Sequence, residues 1–164
     1  MTKFQQFRDP QLDWSGDIAA FYPREFYVFS NFASFQVEWR GKLWPTSEHA
    51  YQATRFETTA PDLYGQVVAA RSAHDAFKIA MGNKHRQQTD WDEVKQSIIL
   101  DICRHKLQQH TYIKEKLLQT EDAEIVEDSP TDAYWGWGAD RQGRNVLGKI
   151  WMTLRDELKT EGIQ

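Results

Sequence analysis

Cysteine is nearly missing from this 164-residue chain: Cys103 is its one thiol, so no intrachain disulfide framework can hold the fold. It follows Ile102 in a helix-like stretch, where a buried structural thiol is expected rather than a nucleophile. Long basic runs are missing too. Lys and Arg total 20 against 24 Asp and Glu, a formal net charge of −4, so the field of the whole protein does not favour non-specific nucleic-acid binding. No apolar run approaches the length of a membrane helix, and the polar stretch from Met1 to Trp14 has no signal-peptide core. A cytoplasmic protein without a membrane partner is the expectation. His49, His74, His85, His105 and His110 form no HxxxH or HExxH pair and no cysteine pair joins them, so a metal site is not expected, and no organic cofactor is implied. Walker, GxGxxG and GxSxG signatures are absent, as are internal repeats and low-complexity tracts.

What the chain has in quantity is aromatic residues, 13% of the total, with seven Trp, nine Phe and six Tyr. Most of these rings are expected to be core, with enough left over to offer flat faces to a ligand ring. The length fits one domain with one sizeable core. Residues 1–20 show little periodicity and read as an N-terminal arm, ahead of a domain over 21–164.

Phe26-Tyr27-Val28-Phe29 reads as a buried strand that stops at Ser30-Asn31. Phe35, Val37 and Trp39 alternate with polar residues, and Lys42-Leu43-Trp44 returns after Arg40-Gly41, which predicts a hairpin closed by Pro45. Thr46-Ser47 offers an N-cap for a helix from Glu48 to about Phe56. Further helices are expected from Pro61 to Ala70 and from Ala73 to Met81. The clearest starts at Thr89 or Asp90, with Trp91, Val94, Ile98 and Ile102 on one stripe. Tyr112, Ile113, Leu117 and Leu118 suggest another helix, and Ala123 to Glu127 a short strand. Ser129 to Gly143 reads as loop, before a C-terminal helix with Leu147, Ile150, Trp151, Leu154 and Leu158 on one face. The sum is an α+β fold, mostly helical, with a small antiparallel β-sheet near the N-terminus.

Two segments look out of place as purely structural parts. Thr46-Ser47-Glu48-His49 follows Trp44-Pro45 at a helix start. A carboxylate in a first helical turn ordinarily stabilises the dipole, but a helix N-terminus beside aromatic strands also suits an anion or a sugar hydroxyl. In Asp132 to Asp140, Tyr134, Trp135 and Trp137 are interrupted by Gly136 and Gly138. Either this loop folds back and plugs the core, or it forms a base-stacking platform whose glycines let backbone approach a ligand. Glu48 and Asp132 together could supply the two carboxyl groups that glycoside hydrolysis commonly needs, although chance pairing is easy among 24 acidic residues. Arg55, Lys78, Lys84, Arg141, Arg144 and Lys149 are scattered. Most should be solvated, and one or two could clamp a phosphate.

These segments combine into a pattern. Phe29-Ser30-Asn31-Phe32, then Trp44-Pro45-Thr46-Ser47-Glu48-His49 with Gln52-Ala53 and Phe56, resemble the opening motifs of the NADAR (YbiA-like) family. Trp91 with Val94-Lys95, then Lys106 and Gln109, resemble its central helix. Glu127, Asp132, Trp135-Gly136 and Gly138 resemble the next motif. Gly143, Asn145, Leu147-Gly148, Met152, Leu154 and Arg155 resemble the C-terminal signature. The resemblance runs from about Phe21 to Leu158. Arg55 departs from it, standing where several relatives have lysine, and Trp137 adds a ring to the glycine loop.

The resemblance implies an N-glycosidase that breaks a ribosyl C1′–N bond. Its substrate would be a small phosphorylated nucleoside-like molecule: a ribosylaminopyrimidine intermediate of riboflavin biosynthesis, releasing ribose 5-phosphate. On that resemblance Glu48 activates water or stabilises the cationic sugar, and Asp132 orients the sugar or assists proton transfer. Trp91 and Trp135 form walls for the base, Asn31 and Asn145 hydrogen-bond ribose or base, and Arg55 or a nearby lysine meets the phosphate. Trp91 has a rival reading as core, since it heads an apolar stripe. Two other classes compete: a hydrolase of ADP-ribosylated guanine in nucleic acid, and a module that binds ADP-ribose or a nucleotide without cleaving it. The acidic balance fits a small metabolite better than a polymer. Oligomeric state is not readable from the sequence.

Overall fold

A strand begins where the sequence suggested none. In a computed structural model that describes residues 18–21 and 26–162, the elements in chain order are β1 (Ile18–Phe21), β2 (Val37–Trp39), β3 (Lys42–Trp44), α1 (Ser47–Thr54), α2 (Pro61–Val68), α3 (Ala73–Gly82), α4 (Trp91–Gln109), α5 (Thr111–Gln119), β4 (Glu124–Glu127) and α6 (Val146–Glu161). Short 3-10 turns occupy Tyr27–Phe29 and Lys84–Arg86. This is the expected α+β class, mostly helical. Most of the expected arm lies outside the described residues. No helix among the described residues is long and apolar enough to cross a membrane.

The chain divides into two compact units, one of residues 1–30 with 111–164, the other of residues 31–110. In the first, β1 pairs with β4 in parallel, Ile18 opposite Glu124 and Phe21 opposite Glu127. This second sheet, parallel and built partly from the C-terminal half, was not foreseen. A two-stranded pair is marginal alone; here α6 packs on β4 and buries Leu147, Ile150, Trp151 and Leu154.

Phe26–Phe29 corrects the sequence reading: it is a 3-10 turn, not a strand, with Phe29 N–H donating to the Phe26 carbonyl at 3.1 Å and Ser30 N–H to that of Tyr27 at 2.9 Å. Ring packing overrides the β propensity of these residues. The Phe29 ring meets Phe21 at 5.7 Å, Phe26 at 5.9 Å and Trp151 at 5.0 Å. The Trp151 indole N–H donates to the Phe29 carbonyl at 2.9 Å, which fixes the turn to α6.

In the second unit Arg40 and Gly41 adopt φ of 50° and 73°, the left-handed pair required by a two-residue type I′ hairpin turn. They join β2 to β3 in the expected antiparallel register, Val37 opposite Trp44. The outer edge of β2 is not left open. The Gln109 side chain accepts from Glu38 N–H and donates to the Glu38 carbonyl, both at 2.8 Å, so one amide imitates a neighbouring strand. Helix α4 buries Trp91, Ile98, Ile99, Ile102, Cys103 and Leu107. Cys103 is a buried free thiol, as expected.

Candidate active site

Helix α1 is the organising element of the 31–110 unit. Its N-cap is Thr46, whose hydroxyl oxygen accepts from His49 N–H at 3.2 Å. His49 repeats the tie with its ring: Nδ1 lies 2.8 Å from Thr46 Oγ1, and Nε2 lies 3.0 Å from the Ala70 carbonyl. A carbonyl can only accept, so Nε2 carries a proton. Both ring nitrogens are used structurally, and together they lock the first turn of α1.

Glu48 is 4% exposed in that locked turn. Its backbone N–H donates to the Asn31 carbonyl at 3.0 Å. Its carboxylate accepts from Gln52 Nε2 at 2.7 Å, one helical turn along the same face. Asn31 is also buried, and its side-chain oxygen lies 3.7 Å from the Cys103 thiol.

Arg55 continues the face of Glu48 and Gln52. It is 6% exposed, and Nη1 donates to Gln87 Oε1 at 2.8 Å. Its guanidinium lies 5.1 Å from the centre of the Trp91 ring and 5.9 Å from that of Tyr51, while these two rings are 5.0 Å apart. Burial pulls the Arg55 pKa below the ordinary arginine value, against the opposing pull of Tyr51 and Glu48. Trp91 is 1% exposed, so its ring is covered by these neighbours. Ser47 Oγ, Gln52 Oε1, Arg55 Nε and Trp91 Nε1 are buried with no hydrogen-bond partner among the described residues. Unsatisfied buried polar groups are costly, and their concentration along one helix and its neighbour calls for an explanation.

Lys106 had a place in the family resemblance but no assigned role. It is fully buried on α4, with Nζ 5.4 Å from the Phe35 ring centre. Burial lowers its pKa to about 8, and the nearby Cys103 thiol opposes the shift. The signal for it was periodicity: Lys106 falls on the apolar stripe of Ile99 and Ile102, where a lysine is out of place. Tyr51 and Gln52, the partners of Arg55 and Glu48, gave no such signal.

Asp132, Trp135 and Asn145 gather in the other unit, in the loop between β4 and α6. Asp132 Oδ1 accepts from Tyr134 N–H and Trp135 N–H, both at 2.8 Å, the side-chain turn typical of aspartate. Trp135 is half-buried and meets Tyr134 edge-on at 4.9 Å. Asn145 is left-handed, with φ of 51°. Its Nδ2 donates to the Ile125 carbonyl at 2.8 Å and its Oδ1 accepts from Glu127 N–H at 3.0 Å. Both functions of that amide therefore hold the loop to β4. At Gly136 a Cβ would stand 2.6 Å from the Glu127 carbonyl oxygen, so this glycine is required by protein backbone. Arg155 is buried too, donating to Thr120 Oγ1 at 2.9 Å and to the Ala123 carbonyl at 2.7 Å.

Within the 31–110 unit, Asn31 thus meets Glu48 through backbone, and Arg55 meets Trp91 through its guanidinium. Within the loop, Asp132 holds Trp135, and Leu147 N–H holds the Trp135 carbonyl at 3.0 Å. Comparison with known proteins finds relatives of this chain. The N-glycosidase YbiA of Escherichia coli strain K12 is 37% identical over 138 residues, 81% of this chain and 82% of that protein. A riboflavin biosynthesis protein of Vibrio vulnificus is 38% identical over 130 residues, 79% of this chain but 35% of that protein. The NMR structure of the E. coli protein YbiA superposes with a TM-score of 0.82 at 32% identity, covering 94% of this chain and 92% of that one. The sequence model of the NADAR domain matches residues 7–159, and with these relatives beside it the chain belongs to the NADAR domain family.

Proposed function

We propose that this chain hydrolyses the C1′–N ribosyl bond of a phosphorylated ribosylaminopyrimidine of riboflavin biosynthesis, releasing ribose 5-phosphate. The enzyme class, a hydrolase acting on N-glycosyl bonds, goes with the family and with relatives named N-glycosidases. The substrate reading is supported by relatives named riboflavin biosynthesis proteins.

In this reaction water adds to C1′ as the C1′–N bond breaks. The water loses one proton, the leaving nitrogen gains one, and free aminopyrimidine departs. Positive charge develops at C1′ on the way, so the catalyst needs a fixed negative group and a proton acceptor. The observation that carries the proposal is Glu48: a buried carboxylate in a locked helical turn, oriented by Gln52. Glu48 takes the proton of the attacking water and faces the cationic sugar. Asn31 offers its amide to ribose or base. Arg55 meets the phosphate with its unpartnered Nε, held in place by Gln87 and by the Tyr51 and Trp91 rings behind it. Trp91 is then the wall on which the cation rests. In the loop unit, Asp132 and Trp135 keep the roles that the family resemblance implies, and Asn145 ties the loop to β4.

The test is a hydrolysis assay on the phosphorylated ribosylaminopyrimidine, run in parallel on ADP-ribosylated guanosine, with Glu48→Gln as control. Release of ribose 5-phosphate that the control loses is the expected result. Turnover of the guanine adduct alone would move the protein to ADP-ribose chemistry. Turnover of neither would leave a nucleotide-binding module.

A further inference from the structure

Phe32 is 40% exposed although it follows buried Asn31 directly. Its ring does not stand alone. It lies 5.9 Å from Phe77 and 6.4 Å from His74, whose rings are stacked on each other at 6.3 Å with an interplanar angle of 23°. Helix α3, capped at Ser72 by a hydroxyl that accepts from Asp75 N–H at 3.1 Å, holds both supporting rings.

One backbone bond bounds the distance between Phe32 and Glu48. Glu48 N–H donates to the Asn31 carbonyl at 3.0 Å, and that carbonyl belongs to the peptide leading into Phe32. Standard backbone dimensions then put the Phe32 and Glu48 Cα atoms no more than roughly 7–8 Å apart. A ribosylated base of this kind spans a similar distance from its anomeric carbon to the far edge of its ring. Trp91, the ring expected to serve as a base wall in this unit, is 1% exposed and covered by Arg55 and Tyr51. Phe32, whose Cα lies within that distance of the Glu48 Cα, is a ring that reaches solvent.

The geometry points to Phe32 as the stacking face for the planar leaving base, with Phe77 and His74 as its rigid backing. The inference rests on the reading of Glu48 as the catalytic carboxylate. The subsite takes a flat heteroaromatic ring such as an aminopyrimidine, and it reads shape rather than hydrogen-bond pattern, since every base has a π-face. Its contribution is to binding, and so to KM, because stacking is already made in the ground state.

The experiment compares wild type with Phe32→Ala and Phe32→Trp, both in steady-state hydrolysis and in calorimetric binding of free 5,6-diaminouracil. Phe32→Ala should raise KM about 5- to 100-fold, the loss of one base–aromatic stack, with kcat changed less than about threefold. It should weaken binding of the free base in parallel, and Phe32→Trp should restore both. A KM and a base affinity that Phe32→Ala leaves at wild-type values would overturn the subsite. A fall in kcat at unchanged KM would overturn it as well. A wild type that binds the free base through Phe32 but hydrolyses no riboside would instead remove the hydrolase reading and leave the stacking face in place.

Discussion

Two regions of this protein are rich in buried polar groups, and they use them differently. In the loop from Asp128 to Asn145, side chains are consumed by the loop itself. Ser129 Oγ accepts from Asp132 N–H at 3.0 Å, Trp137 Nε1 donates to Asp128 at 2.7 Å, and Asn145 ties both amide functions to β4. Along α1 and the start of α4, by contrast, Ser47, Gln52, Arg55 and Trp91 each keep a buried polar atom without a hydrogen-bond partner among the described residues. The loop resembles a folded part whose polar groups make its shape. The α1 face resembles a part whose polar groups are held ready for something else, at a cost to stability. Arginine shows the contrast within one residue type. Both keep a buried Nε without a hydrogen-bond partner among the described residues, but Arg155 directs Nη1 to Thr120 and the Ala123 carbonyl, whereas Arg55 is stacked on rings and feels the charge of Glu48.

The comparison can be broken most directly at Glu48. Glu48→Gln keeps the size of the side chain and an acceptor for Gln52, so Tm should move by no more than about 4 °C. Removing the general base should lower kcat about 10³-fold. A variant with near-normal kcat would make the α1 face another piece of scaffold.

Lys106 sharpens the comparison through stability. Burial holds its folded pKa at about 8, below the ordinary 10.5. The folded state therefore binds the proton less well than the unfolded one. The penalty is fully present below pH 8, shrinks as pH rises from 8 to 10.5 and is gone above that. It is worth about 3 kcal/mol near neutrality. Lys106→Met should raise stability to urea by about that amount at pH 7, with the difference from wild type vanishing above pH 10.5. A destabilised variant at pH 7 would place Lys106 among the groups that hold the fold.

Asn145→Ala should do the opposite. It removes one buried and one part-buried hydrogen bond and puts alanine at a φ of 51°, so urea unfolding should show a loss of about 2–3 kcal/mol. The smallest effect on stability is expected at Asp132. In Asp132→Asn the amide oxygen can still accept from Tyr134 and Trp135, and stability should hold within about 0.5 kcal/mol. A roughly tenfold fall in kcat at unchanged Tm would show that the carboxylate charge is used in catalysis. Unchanged turnover would assign Asp132 to the loop's shape alone.

Much of the 31–110 unit was legible because its signals are local. Arg40-Gly41 at a hairpin turn, Thr46 as an N-cap and the stripe from Trp91 to Ile102 each act over a few residues of chain. The parallel pairing of β1 with β4 was not legible: each strand is four residues long, and their partners lie far apart in sequence. Phe26–Phe29 misled because aromatic residues serve a packed cluster as well as they serve a strand. Among the candidate site residues, Glu48 stood out as a carboxylate in an unusual setting, whereas Arg55 was one of several scattered basic residues. Gln52 and Tyr51 did not stand out, since only burial turns a glutamine and a tyrosine into partners of those charges.

By itself the sequence determined the fold class, the helix starts, the hairpin turn and the resemblance that family membership made firm, because capping, turn chemistry and hydrophobic period are properties of neighbouring residues. Only the tertiary structure decided which rings are covered and which are open, so that Trp91 is sealed while Phe32 reaches solvent. It also decided that Lys106 loses its hydration and Asn145 turns inward to β4. These are outcomes of burial, and burial depends on segments that the chain brings together from a distance.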